Sequence, residues 1–224
     1  MRITISKENY LKAIAEAESA GEIVIAAALA RWLEVSAPAV AMAIRRLKRD
    51  GLIRVSNSGS ITLAKEGREI ANRLIERHNL IERMLTEIFG MEWYKVHDEA
   101  EHLEHAVSAD FERRLREKLG EGDACPHGNL PGLDRPQDRR ERGWKPLDEV
   151  AGGSSIHVTS VFERDRKLLE YLDGLGIRPG SALRVVTRNC DDTMTLRIGG
   201  EAVQLGCAAA SKVWTSPNDS GARK

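Results

Sequence analysis

Between Val96 and His105 the chain reads Val-His-Asp-Glu-Ala-Glu-His-Leu-Glu-His, a concentration of imidazoles and carboxylates suited to binding a metal. On a helix, His97, Glu101, Glu104 and His105 fall at i, i+4, i+7 and i+8 and share one face. The apolar positions Val96, Ala100, Leu103 and Val107 run beside that face, about a quarter turn away at roughly 3.6 residues per turn. The polar groups therefore sit at the edge of a core, where they are costly to desolvate unless a cation joins them. Upstream, His78 and Glu82 repeat the i, i+4 spacing in line with Leu74 and Leu85. A lone histidine on an apolar stripe is more often a satisfied core residue than a ligand. Two segments that each offer His and Glu at ligand spacing point instead to a divalent metal. Asp98, Glu99 and His102 face elsewhere and read as solvated; His127 and His157 read as surface or loop residues.

The elements that must position these groups follow from periodicity and punctuation. Ser6 is expected to cap a first helix running to about Ser19, with Tyr10, Leu11, Ile14 and Ala15 inward. A second helix passes through Ala26, Leu29 and Leu33. Ser36 and Pro38 then suit the cap and first turn of a third, which carries Val40, Ile44 and Leu47 inward and stops at Asp50-Gly51. Residues 52–55 and 60–63 read as short strands around Asn57-Ser58-Gly59. Helix, helix, turn, helix, hairpin is the order of a winged helix-turn-helix. Arg45, Arg46, Lys48 and Arg49 on the third helix suit phosphate contacts. One long amphipathic helix is expected over 64–89 and another over 93–119, forming a bundle or a dimer interface. Residues 120–153 are rich in Gly, Pro and charge and read as loop and linker. Strands at 155–161, 182–187, 194–198 and 202–205, interrupted by a helix at 165–175, predict a small barrel, and the last ten residues are expected to fray.

Bulk properties bound the partners. The net charge is zero, but residues 1–77 hold 13 Lys+Arg against 9 Asp+Glu, whereas residues 78–112 hold 2 against 9 and four of the six histidines. A basic block followed by an acidic, His-rich one suggests phosphates for the first and cations for the second. No apolar run approaches the ~20 residues of a membrane span, and the N-terminus has no signal-peptide core. The expectation is a cytoplasmic protein with no membrane partner. Cys125, Cys190 and Cys207 are an odd number at no metal-like spacing and read as reduced, incidental thiols.

The chain resembles the family of diphtheria-toxin-repressor-like metalloregulators, which includes iron-dependent repressors and manganese transport regulators. The residues that carry the resemblance span nearly the whole chain. They are Tyr10-Leu11-Lys12-Ala13-Ile14, Val35-Ser36-Ala37-Pro38-Ala39-Val40, Arg49-Asp50-Gly51-Leu52 and Arg77-His78-Asn79-Leu80-Ile81-Glu82-Arg83. To these are added residues 93–108, Cys-Pro-His-Gly-Asn at 125–129 and Gly-Ile-Arg-Pro-Gly at 176–180. The resemblance implies a mainly α protein with small β elements. A winged helix-turn-helix would span residues 1–70, a helical metal-binding dimerisation domain 71–140 and a linker 141–153. An SH3-like β-barrel would follow at 154–215, with a disordered tail at 216–224. It also implies two metal sites, one from His78, Glu82 and His97 with Glu163, the other from Asn9, Glu101, Glu104 and His105. The implied function is a homodimeric, metal-dependent repressor binding double-stranded operator DNA.

Iron-responsive members place a thioether on the first helix and a cysteine at the position of Glu101, and both sulfurs are absent from these positions here. Oxygen-rich sites suit Mn(II), although Mn(II) and Fe(II) are both weak binders in the divalent series. The manganese type carries an aspartate where this chain has Asn9. The expected reading face of Ser36, Ala37, Pro38, Ala39 and Met42 is nearly apolar, suited to thymine methyls and shape readout. Mn(II) is thus the expected effector, with Fe(II) the alternative. A winged-helix regulator with a structural Zn site and a metallohydrolase are the rival classes. The last lacks a visible nucleophile or phosphate loop and would leave the DNA-binding half without a role.

Overall fold

The computed structural model describes residues 3–120, 124–130 and 135–218. Helix α1 (Ile5–Ser19) begins two residues earlier than the Ser6 cap predicts, because Thr4 takes the extended cap conformation and accepts from the Lys7 amide. Helix α2 (Ala26–Trp32) ends with Glu34 at φ 53 and the Val35 amide bonded to the Ala30 carbonyl, a left-handed cap that turns the chain sharply. Ser36 caps α3 (Ala37–Arg49) by accepting from the Ala39 amide. The axes of α2 and α3 differ by 114°, within the range of a helix-turn-helix. Gly51, at φ 73, closes α3, and the Leu52 amide reaches the Leu47 carbonyl at 2.9 Å while both leucines are buried. Strands β1 (Ile53–Val55) and β2 (Ile61–Leu63) pair antiparallel as the wing. Leu11, Ile14, Leu29, Val40, Leu47, Leu52 and Ile61 form the core beneath it.

Helix α4 (Lys65–Arg83) runs on as a π-helical turn, Met84–Ile88, before Gly90 stops it in the left-handed region. Such widened turns are rare and cluster at functional sites; this one starts two residues after Glu82. The helix expected over 93–119 is two helices, α5 (Val96–Leu103) and α6 (Ala109–Leu119). Ser108 restarts the second by capping the Phe111 amide, so Glu104 and His105 lie in a turn and not on the helical face of His97 and Glu101.

The chain divides into two compact units, one of Met1–Ile81, Glu101–Asp123 and Leu130–Pro136, the other of Glu82–Ala100, Ala124–Asn129 and Gln137–Lys224. The second contains a six-stranded antiparallel sheet in the order β3-β8-β4-β5-β6-β7. Its members are β3 (Lys145–Pro146), β4 (Ser155–Val161), β5 (Ala182–Arg188), β6 (Thr193–Ile198), β7 (Glu201–Gly206) and β8 (Val213–Pro217). Irregularities at Val158/Ser160 and Val185/Thr187 bend the strands, as a small barrel requires. Helix α8 (Arg166–Gly174), capped by Asp165, packs Leu169 and Leu172 into the core with Ile156, Val158, Leu183, Met194 and Val213. Two further short helices are α7 (Pro136–Glu141) and α9 (Cys207–Ala210).

Residues 141–153, expected as a linker, instead supply β3 and a 3-10 turn at Leu147–Glu149, with Leu147 and Val150 buried. Residues 215–217, expected to fray, belong to β8, where the Thr215 hydroxyl donates to the Lys145 carbonyl at 2.9 Å. The expected tail at 219–224 lies outside the described residues. No single helix among the described residues is long and apolar enough to cross a membrane.

Candidate metal centre

Four potential ligands of the second unit converge: Glu82, Cys125, His127 and Glu163 offer donor atoms that all lie within 4.8 Å of one another. Glu82, near the end of α4, is fully buried. Its Oε1 lies 3.2 Å from His97 Nδ1 and its Oε2 3.3 Å from His127 Nδ1. Glu163, just beyond β4, holds Oε2 at 2.6 Å from Asn129 Nδ2, 3.5 Å from Cys125 Sγ and 3.6 Å from His127 Nδ1, with Oε1 4.0 Å from His97.

The loop carrying Cys125 and His127 is held by its backbone. The Gly128 amide bonds to the Cys125 carbonyl, the Cys125 amide to the Asn129 carbonyl, and the Val161 amide of β4 to the His127 carbonyl. Gly128 sits at φ 79, and a Cβ there would come within 2.0 Å of the Thr159 carbonyl oxygen, so only glycine fits. The side chain of Asn129 donates to the Val161 carbonyl and to Glu163, which links the loop to the acid it faces.

Electrostatics favour a cation at this cluster. Burial lowers the proton affinity of His127, but Glu82 and Glu163 outweigh it and hold the imidazole above its ordinary value. Burial, Glu82 and Glu163 all push the Cys125 thiol well above the ordinary thiol range. His127 Nε2 donates to the Trp93 carbonyl at 2.9 Å, which directs Nδ1 at the carboxylates. Trp93 is itself fixed by its indole N–H, which donates to Asp173 Oδ1 at 2.7 Å. One imidazole nitrogen, one sulfur and two carboxylates converging on a largely buried point fit a divalent ion.

The first unit has a second polar cluster. Glu104 is buried, and its Oε2 lies 2.7 Å from both His78 Nδ1 and Lys12 Nζ. His105 Nε2 lies 2.6 Å from Asn9 Oδ1 and 3.5 Å from Glu104 Oε1, and its Nδ1 lies 3.2 Å from Glu8. Burial lowers the proton affinity of Lys12, but Glu16 and Glu104 outweigh it, so the side chain is a cation at neutral pH. Burial raises the Glu104 carboxyl, and His78 and Lys12 outweigh that and hold it below the usual range. Asn9, Glu104 and His105 are thus brought together, whereas Glu101 is exposed on α5, near enough to Lys12 to act on its charge. His78 stands one helical turn before Glu82 on α4.

Three residues of these clusters escape the sequence reading. His127, expected at the surface, is fully buried, and Cys125, expected to be incidental, is buried beside it. Beyond the Cys-Pro-His-Gly-Asn block that shares in the family resemblance, the signal is a Cys and a His two apart in a Gly/Pro loop, which resembles no standard metal motif. Lys12 looks like an ordinary exposed helix residue, yet it is 4% exposed. Asp98, Glu99 and His102 are exposed, as expected, and His157 lies half-buried on β4.

On α3, Ser36, Ala37, Pro38 and Met42 are exposed and Ala39 is half-buried. The Ser36 hydroxyl is engaged as the helix cap. Arg45, Arg46, Lys48 and Arg49 are all exposed, with Arg49 Nε 3.2 Å from Asp50. An exposed helix with a basic C-terminal half beside a two-stranded wing is a groove-reading arrangement.

Three family descriptions match consecutive parts of the chain. The iron dependent repressor N-terminal DNA binding domain matches residues 2–60, the iron dependent repressor metal binding and dimerisation domain 64–130, and the FeoA domain 145–217. The diphtheria toxin repressor of Corynebacterium efficiens is 36% identical over 188 residues, covering 80% of this chain and 82% of its own. The iron-dependent repressor IdeR of Mycobacterium leprae is 33% identical over 209 residues, covering 88% and 91%. A solved manganese-dependent transcriptional repressor in complex with manganese has a TM-score of 0.84 at 32% identity, covering 94% of this chain and 99% of its own. With its helix-turn-helix, buried His and Glu clusters and C-terminal barrel, the chain belongs to the diphtheria-toxin-repressor family of metal-dependent, DNA-binding transcriptional repressors, which are regulators and not enzymes.

Proposed function

We propose that the chain is a Mn(II)-responsive cytoplasmic repressor controlling genes of metal-ion uptake and homeostasis. The observation that carries the choice of metal is the cluster of Asn9, Glu104 and His105, in which every donor is oxygen or nitrogen. Glu101, one turn before His105 in sequence, adds a further carboxylate. Hard oxygen donors suit Mn(II). Likeness to a solved manganese-dependent repressor supports the same reading.

A second set is proposed from Glu82, His97 and Glu163, with His78 from the preceding turn of α4. Cys125 and His127 join it. Cys125 favours a second reading, in which Fe(II) is the effector, because a thiolate is a softer donor. A bound divalent ion would add positive charge among the converging carboxylates. The residues do the rest: Glu82 orients two imidazoles, Asn129 fixes Glu163, and Asn9 on α1 ties the DNA-binding domain to the turn that holds Glu104 and His105. Coupling of this kind is typically worth about 1–3 kcal/mol, roughly 5- to 150-fold in operator affinity.

Ser36, Ala37, Pro38, Ala39 and Met42 would read bases, and Arg45, Arg46 and Arg49 would contact phosphates. A homodimer would present two copies of α3 to a pseudo-palindromic operator, about one helical turn or a multiple apart. Phe89 at 68% exposure and Phe111 at 45% are apolar surface that a dimer would cover. Operator binding by purified apo protein, titrated in turn with Mn(II), Fe(II), Zn(II) and Co(II), tests the reading. Activation by Mn(II) at lower concentration than by Zn(II) is expected, with Fe(II) close behind. Operator binding indifferent to every metal refutes it, as does a strictly monomeric protein at micromolar concentration in sedimentation.

A further inference from the structure

The polar cluster of the first unit already contains a cation, and it is covalently attached. Lys12 Nζ lies 2.7 Å from Glu104 Oε2, 2.9 Å from His78 Nδ1 and 3.8 Å from Glu16 Oε1. Glu104 Oε2 is also 2.7 Å from His78 Nδ1, so one carboxylate oxygen faces an ammonium and an imidazole at once. Groups from α1, from α4 and from the turn after α5 meet at this point, and all three are buried. Lysine is seldom buried unless paired, and its ammonium is a compact point charge on a flexible stem. A bound divalent ion would make the same bridge between carboxylate and imidazole.

We infer that Lys12 takes the place of a metal ion in this cluster, joining α1 to Glu104 and His78 without metal and fixing how many ions the protomer accepts. Two consequences follow from the geometry. With Nδ1 of His78 turned to Lys12 and Glu104, any ion held by His78 is held through Nε2. With Oε2 of Glu104 committed to Lys12, an ion bound by Asn9 and His105 engages Glu104 through Oε1, the oxygen that already faces His105. This last consequence rests on the proposed ligand role of Asn9, Glu104 and His105. The central claim, one tethered cation for one ion, does not.

The test counts Mn(II) bound per protomer by the full chain and by K12M, using equilibrium dialysis with the free ion read by electron paramagnetic resonance. Thermal unfolding is recorded with and without Mn(II). K12M is expected to bind one Mn(II) more than the unaltered chain. Its metal-free melting temperature should fall by roughly 6 °C or more, since a buried charge has lost its partner, and Mn(II) should restore most of that loss. K12R keeps a cation and is expected to keep the original count. If K12M does not fold without metal, it is refolded in Mn(II) and counted together with K12Q. An equal count in K12M and the unaltered chain, with the same melting deficit in the presence and absence of Mn(II), overturns the inference, as does a gain of one ion by K12R. Failure of the unaltered chain to bind any Mn(II) refutes the proposed ligand roles instead, and the difference of one ion between K12M and that chain still reports on Lys12.

Discussion

Replacing Cys125 by serine isolates the sulfur of the buried cluster. Cys125 Sγ lies 3.5 Å from Glu163 Oε2 and 3.7 Å from His127 Nδ1. Burial and the two carboxylates hold its thiol well above the ordinary range, so it is protonated at neutral pH without metal. To act as a ligand it must lose that proton. Metal affinity should therefore rise about tenfold per pH unit, about 1.4 kcal/mol, from this group alone.

His127 adds to the slope. Its ionisation is raised above 6.5 by Glu82 and Glu163 against the opposing effect of burial, so below that raised value a second proton must leave. The expected slope approaches two protons at the acidic end and one at the alkaline end. The raised His127 ionisation also contributes stability to the metal-free protein. That contribution is complete below the unfolded value and lost as pH rises through the folded one. The thermal shift on metal addition should therefore grow with pH. Cys125→Ser should lower the proton slope by one at every pH and abolish the thiolate-to-cobalt charge-transfer band with Co(II). Chelator competition across a pH series measures the slope, and thermal unfolding of the metal-free variant checks that the fold survives. A variant with unchanged slope and an intact Co(II) band would refute the assignment of Cys125.

Gly128→Ala should destabilise the protein by at least about 1–3 kcal/mol from the left-handed backbone alone and displace Cys125 and His127, measured by denaturant unfolding and Co(II) absorbance. Arg46→Ala and Arg49→Ala should each weaken binding to all DNA sequences and reduce the slope of log affinity against log salt by about 1; a changed sequence preference with an intact slope would contradict the phosphate role. Asn9→Asp should tighten Mn(II) binding by roughly tenfold, and Glu101→Cys should move the response toward softer ions, both read from operator affinity across a metal series. Leu47→Ala, at a fully buried site between α3 and the wing, should cost about 2–5 kcal/mol in thermal or chemical unfolding.

Local rules were enough to read the helix-turn-helix, because its signals are short-range: Ser36 beside Pro38, Gly51 after a basic last turn, and apolar residues at helical spacing. The same rules singled out His78, Glu82 and His97 as candidate metal ligands, since i, i+4 spacing on a helix needs no knowledge of the rest of the fold. They failed where a short-range preference was overridden or absent. Amphipathic periodicity continues from α5 into α6, yet Ser108 caps a new helix and turns Glu104 and His105 out of line. Strands β3 and β8 are short and carry prolines; β3 exists only because β8 lies beside it, and β8 is held between β3 and β4. The direction of a loop side chain has no periodicity to betray it. His127 is buried because the Val161 amide of β4, thirty-four residues away, fixes its carbonyl, and Trp93 supplies the acceptor for its ring. Lys12 differs from an exposed lysine only in having Glu104 and His78 brought to it by long-range folding. Residue types and spacing therefore determined which chemistry the chain carries, whereas tertiary structure alone decided which oxygen, nitrogen and sulfur atoms meet, because those meetings depend on contacts between segments far apart in the chain.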